Sequence, residues 1–247
     1  MSILDRTVKI SRRAMTLFFL IDTSTSMEGS KIGAVNDAVE NVLPMISEIS
    51  SENPDAEIRI AALEFSSGTR WVYDEPKPAS DFVWQDAQAD GLTSMGEAFQ
   101  ELNGRMSAGS FMNGPCFAPV IMLLSDGGPT DDYESGLDEL RKNKWYRHAI
   151  KVAIAIGEDA DRDVLAEFTG SKESVLTVHN IEALKQVIRI VAVTSSTVGS
   201  RSTTAGGSTK QGSVEAEVKK AVRNIRGAHT GDAPADNADS TDEWGGW

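Results

Sequence analysis

The sequence predicts an α/β fold: a doubly wound, mostly parallel central sheet with one antiparallel edge strand and helices on both faces, a Rossmann-like arrangement. Three observations carry that prediction. Strand-length apolar runs, among them MTLFFLID, VIMLLS and KVAIAI, are what strands covered on both faces require. Each is followed by a segment whose apolar residues recur at helical spacing. Strands that alternate with helices of about ten to fifteen residues pair in parallel through right-handed crossovers.

The first core strand is MTLFFLID, residues 15–22. Arg12 and Arg13 ahead of it imitate an export signal, but the apolar run stops at Asp22, no small-residue cleavage site follows, and the run is too short to span a bilayer. A buried strand is the expectation. Ile32, Val35, Val39, Val42 or Leu43, and Ile46 then mark a helix over 30–49, with Ser30 as its cap. Pro44 falls inside it and is expected to kink the helix or end it early, since a straight helix through proline costs roughly 3 kcal/mol. EIRIAALEF and TRWVY, joined by Ser66-Ser67-Gly68, read as a hairpin that forms the antiparallel edge. A loop passes Trp84, and Met95, Ala98, Phe99 and Leu102 give the next helix its apolar face. FAPVIMLLSDG is a strand ending at an aspartate, and YESGLDELRKN is the helix after it. The alternation repeats through HAIKVAIAIG, DRDVLAEFTG, SVLTVH and the helix NIEALKQVIRIVAV.

Residues 1–194 thus form the expected folded unit. Ser, Thr and Gly dominate 195–212, a flexible linker by composition. Val214, Val218, Ala221, Val222 and Ile225 then form one stripe of a short amphipathic helix over 213–227. The acidic end, 228–247, carries Trp244 and Trp247, which are costly to leave in water; the two readings are that helix and tail dock a partner, or that the tail is a solvated end without a role.

Lys and Arg total 24 against 37 Asp and Glu, and the net charge of -13 argues against binding nucleic acid or an anionic membrane. A lone cysteine, Cys116, cannot make an internal disulfide, and His148, His179 and His229 are too scattered for a zinc cluster. A reducing cytoplasm suits this usage.

The chemistry concentrates at three predicted strand ends, where open α/β sheets bind ligands. Asp22, Ser24 and Ser26 alternate in DTSTS so that their side chains share one side; Thr93 precedes a helix; Asp126 follows VIMLLS and leads into Gly127-Gly128. Two carboxylates and three hydroxyls form a hard oxygen set suited to Mg²⁺, with Mn²⁺ or Ca²⁺ as alternatives, and poor for zinc. Mg²⁺ keeps waters readily, so few anionic ligands leave a position that an outside carboxylate can fill. Asp131 and Asp132 read as caps of the following helix, Cys116 as a buried inert thiol, and His148 as a structural histidine.

D-x-S-x-S after an apolar strand, a distant Thr, and an Asp after another apolar strand resemble the metal-ion-dependent adhesion site of von Willebrand factor A domains, over roughly 16–193. The runs LLSDGGPTDDY and AIAIGEDAD look most like the small bacterial members of tellurium-resistance operons. That resemblance implies a cytoplasmic module that captures a partner's Asp or Glu through its metal, within a stress-response or phosphosignalling complex containing a phosphatase or kinase of the same operon. The alternative is a metal-dependent phosphate-ester hydrolase, for which the sequence offers no phosphate loop, no general base beside the site and no second carboxylate set.

Overall fold

The computed structural model describes residues 12–157 and 159–178, together with isolated positions at 185, 186, 188, 189, 193, 216 and 220. Its strands are β1 (Arg13–Asp22), β2 (Ala56–Phe65), β3 (Thr69–Trp71), β4 (Lys77–Pro78), β5 (Val120–Ser125), β6 (Ile150–Ile156) and β7 (Val175–Val178). Its helices are α1 (Ser30–Glu52), α2 (Met95–Arg105), α3 (Tyr133–Lys142), α4 (Lys144–His148) and α5 (Arg162–Thr169). The sheet order is β3-β2-β1-β5-β6-β7, with β4 also on β2. Strands β2, β1, β5, β6 and β7 run parallel, while β3 and β4 pair with β2 antiparallel. The predicted doubly wound sheet is the observed one, and its antiparallel edge is split into two short strands.

Alternation along the strands divides the core in two. Leu17, Phe19 and Ile21 of β1 join Ile58, Ile60, Met122, Leu124, Val152 and Ile154 against Val35, Val39, Val42 and Ile46 of α1. Phe18 and Leu20 join Leu63, Ile121 and Leu123 on the opposite face, under Phe99 and Leu102 of α2, Leu137 and Leu140 of α3, and Leu165 and Phe168 of α5. Every residue of β1 from Met15 to Asp22 is buried, which is why that strand reads as an unbroken apolar run. Arg12 and Arg13 serve its start: the Arg12 guanidinium donates to Ser50 O and Asn53 O at the C-terminal end of α1, and Arg13 donates to Cys116 O.

Helix α1 runs through Pro44 to Glu52, so of the two expected outcomes the early end does not occur. Pro44 lies on the exposed side, and the Glu40 carbonyl left without its donor is on the same water-facing side, so water can replace the lost hydrogen bond. Helix α4 was hidden in sequence by its length. Asn143 ends α3, accepts from Trp145 N at 2.8 Å to cap α4, and donates from Nδ2 to Asn103 O and Met106 O. Tyr146 then buries its ring and donates its hydroxyl to Phe168 O. The expected helix over 180–193 falls mostly outside the described residues; its described positions are helical, with Ile188 buried against the α1 face. The linker, the amphipathic helix and the tail lie outside them apart from residues 216 and 220.

Trp84 is buried, and its Nε1 donates to Asn36 Oδ1, which also accepts from Ala87 N, while Asn36 Nδ2 donates to Ala87 O. Asn36 thereby ties the 79–87 segment to α1. Asn36→Ala strands these partners, and we expect a loss of about 1–3 kcal/mol in urea unfolding; an unchanged midpoint would show that water replaces the side chain.

Candidate metal centre

In a doubly wound sheet the crevice opens where the chain leaves neighbouring strands in opposite directions. Here that point is the adjacent carboxyl ends of β1 and β5, since β1 connects onward to β2 on one side and β5 to β6 on the other. Asp22 ends β1 and Asp126 follows β5, so the topology brings two carboxylates together from 104 positions apart in number, 126 minus 22. The register continues into the side chains: Ile21 pairs with Leu124, and beyond it Ser125 Oγ donates to Asp22 Oδ2 at 2.6 Å.

Of the five predicted residues, Ser24, Ser26, Thr93 and Asp126 line one cleft, and Asp22 lies buried beside them, bonded to Ser24. Ser24 N donates to Asp22 Oδ1 at 2.9 Å, folding DTSTS into a turn. Ser24 Oγ and Ser26 Oγ lie 3.0 Å apart, and Ser26 Oγ donates to Asp126 Oδ1 at 2.9 Å. Thr93 lines the same cleft, held by donation from its N–H to Thr130 Oγ1 at 3.0 Å and from Thr130 N to its carbonyl at 2.9 Å. Ser24, Ser26, Thr93 and Asp126 open onto a cleft of about 520 Å³, while Asp22 is fully buried.

The loops are tied to one another as well as to the sheet. Asp90 N donates to Thr23 O at 2.8 Å, Thr25 N to Gly91 O at 3.1 Å, and Asp161 N to Asp126 O at 3.0 Å. These bonds brace the loops against one another, which is what a binding site on connecting segments needs.

Two carboxylates and an ammonium set the electrostatics of the centre. Burial pushes the Asp22 carboxyl above its ordinary range; the Ser125 and Ser24 donors pull it partly back, and the negative Asp126 adds to the rise. The Lys31 ammonium answers this charge, lying 2.8 Å from Asp126 Oδ2 and 3.0 Å from each oxygen of Asp159. Burial alone would lower the Lys31 pKa, but its bonds to Asp126 and Asp159 outweigh that and raise it. Lys31 in turn holds Asp159 below the usual carboxylate range.

Sequence reasoning missed Lys31, Asp159, Ser125 and Thr130. Lys31 carried a signal, because a lysine in the first turn of a helix opposes the helix dipole and calls for a nearby acid. Asp132 caps α3 as expected, by accepting from Ser135 N. Asp131 caps a different helix, α2, accepting from Gly96 N and Glu97 N at 3.0 Å each. Cys116 is buried and donates to Asn113 O, and its thiol is pushed up by burial. His148 is an exposed residue at the end of α4, so the expectation of a packed structural histidine gives way.

A family model for the von Willebrand factor type A domain matches residues 16–190. The collagen alpha-6(VI) chain of Homo sapiens is 29% identical over 182 residues, covering 69% of this chain and 7% of that one. The Mus musculus collagen alpha-6(VI) chain is 27% identical over 143 residues, 53% of this chain and 6% of its own. The chain therefore spans less than a tenth of the length of these relatives. A solved von Willebrand factor type A structure from Catenulispora acidiphila matches with a TM-score of 0.55 at 18% identity, over 74% of this chain and 43% of that one. Proximal thread matrix protein 1 from the mussel byssus, solved with a zinc-occupied MIDAS motif, matches with a TM-score of 0.55 at 15% identity, over 74% and 48%. At these identities the structural likeness speaks for the fold, and the sequence model speaks for the family: the chain belongs to the von Willebrand factor type A domain family.

Proposed function

We propose that this protein is a metal-dependent protein-interaction module, in which Asp22, Ser24, Ser26, Thr93 and Asp126 hold a divalent cation that captures an Asp or Glu of a partner. The observation that carries the reading is the convergence of hard oxygen donors from three loops on one open cleft, with Lys31 supplying positive charge against Asp126. Such a donor set fits Mg²⁺ first and Mn²⁺ or Ca²⁺ next. Zinc, recorded in the motif of the mussel protein, is one arm of the metal titration. When bound, the ion supplies a coordination position open to an outside carboxylate. The chain's own part is to fix the oxygens beforehand and to keep the Asp22 carboxylate dry beneath them.

Binding is favoured over hydrolysis by what surrounds the cleft. Among the described residues, its other acids are already engaged: Asp159 with Lys31, and Asp161 as the cap of α5, accepting from Asp163 N and Val164 N. Neither is free to act as general base toward a water. Residues 1–194 are the binding unit in this reading, and 213–247 a second docking element. The runs LLSDGGPTDDY and AIAIGEDAD support a cytoplasmic setting in a tellurium-resistance or related stress-response complex, with a phosphatase or kinase of the same operon as partner.

A pull-down from the native host, in Mg²⁺ or in EDTA, tests this with wild type, Asp22→Ala and the exposed-site variant Ser26→Ala, each checked for folding by circular dichroism. A partner lost in EDTA and in both variants is the expected result. A partner retained throughout overturns metal bridging and moves the interaction to another surface.

A further inference from the structure

Lys31 stands where elementary electrostatics would not put it. It lies in the first turn of α1, a helix of 23 residues with no acid in that turn, at the end where the dipole repels a cation. Its ammonium is held between a buried and an exposed carboxylate, for the Asp126 side chain is 5% exposed and that of Asp159 is 72%. Asp126 Oδ1 accepts from Ser26, so the ammonium occupies the remaining oxygen, Oδ2.

The loop carrying Asp159 is shaped around this pair. Gly157 has φ +89°, and a Cβ there would come within 2.7 Å of Asp159 Oδ1 and 3.0 Å of Lys31 Cε. Glycine meets both demands there, a positive φ and room for these two side chains.

We infer that Lys31 competes with the divalent ion for Asp126 and is taken up by Asp159 when that ion binds, so that Lys31 and Asp159 together set the affinity of the centre for metal. The inference rests on the proposed metal reading and adds an internal competitor to it. The physical cause is repulsion between an ammonium and a divalent ion drawn to the same carboxylate, across a partly buried site where screening is weak. Asp159 offers the ammonium a second partner already in contact, so release from Asp126 needs only a shift of weight between two existing bonds.

The test is Mn²⁺ binding to the full chain, followed by electron paramagnetic resonance of the free ion, for wild type, Lys31→Met and Asp159→Asn. Lys31→Met keeps the aliphatic stem and removes the charge, and should bind Mn²⁺ about tenfold more tightly or better. Asp159→Asn, at an exposed position that folding tolerates, should bind about threefold more weakly, since the displaced ammonium loses its second counter-charge. Thermal unfolding gives an independent readout. Metal-free Lys31→Met should melt below wild type, because Asp126 is left without its counter-charge, and should gain more from Mn²⁺ than wild type does. Wild-type binding with no tightening in Lys31→Met overturns this inference alone. If neither protein binds Mn²⁺, the metal reading falls and this one with it, whereas binding by Lys31→Met only would support both.

Discussion

Gly136→Ala should destabilise the protein by about 2–3 kcal/mol, lowering the melting temperature by roughly 5–10 °C. Helix propensity alone argues the other way, since alanine is favoured over glycine by about 0.8–1.0 kcal/mol in a helix interior. Sterics decide the sign. A Cβ on Gly136 of α3 would lie 2.5 Å from Gly96 O and 3.0 Å from Gly96 Cα of α2, and one on Gly96 would lie 2.6 Å from Asp132 O. These are backbone atoms of packed helices, so no side chain can swing aside. Gly104→Ala, in the facing helix α2, is the control: nothing lies within 4 Å of its Cβ and the position is exposed, so it should leave stability unchanged or raise it by up to about 1 kcal/mol. Equal melting temperatures for the two variants would mean that α2 and α3 separate freely. Because Thr93 sits two residues ahead of α2 and is tied to Thr130 ahead of α3, Gly136→Ala should also weaken the metal centre.

The elements legible in the sequence were those whose burial leaves a long periodic trace. Strand β1 is buried on both faces over eight residues, and α1 repeats its apolar stripe over several turns. What escaped was short or set by tertiary contact. Strand β4 is two residues long and α4 five, too few for any period to show. Pro44 was expected to kink the helix or end it early because its local cost is real; exposure, which sequence does not state, lets solvent offset that cost and the helix continue.

The site divides along the same line. Asp22, Ser24 and Ser26 are neighbours in sequence and share a side by the geometry of a turn, and Asp126 stands at a strand end that the apolar run announces. The Lys31–Asp159 pair joins positions 128 apart, and nothing local in either segment specifies the other. Asp131 shows the same limit: a helix-start acid was expected from its position, yet the helix it caps is α2, reached only through the packing of two glycine-lined helices.

The second large effect concerns the ion itself. An ion that binds the folded chain and not the unfolded one stabilises by an amount fixed by its concentration over its dissociation constant, about 2.7 kcal/mol at a hundredfold excess. For the wild-type chain, Mg²⁺ or Mn²⁺ at that excess should therefore raise the melting temperature by roughly 5–10 °C, in proportion to the logarithm of ion concentration. Asp126→Asn should abolish that rise. The substitution keeps the shape of the side chain and can keep the Ser26 hydroxyl as a donor, but it removes half of the centre's negative charge, and with it the charge that Lys31 neutralises. A melting temperature that climbs equally with metal in Asp126→Asn and wild type would place the ion elsewhere on an acidic surface, where Asp126 has no part in holding it. A rise confined to wild type, and absent again in Asp22→Asn, would assign the stabilisation to the two carboxylates at the ends of β1 and β5, which only the parallel pairing of those strands brings together.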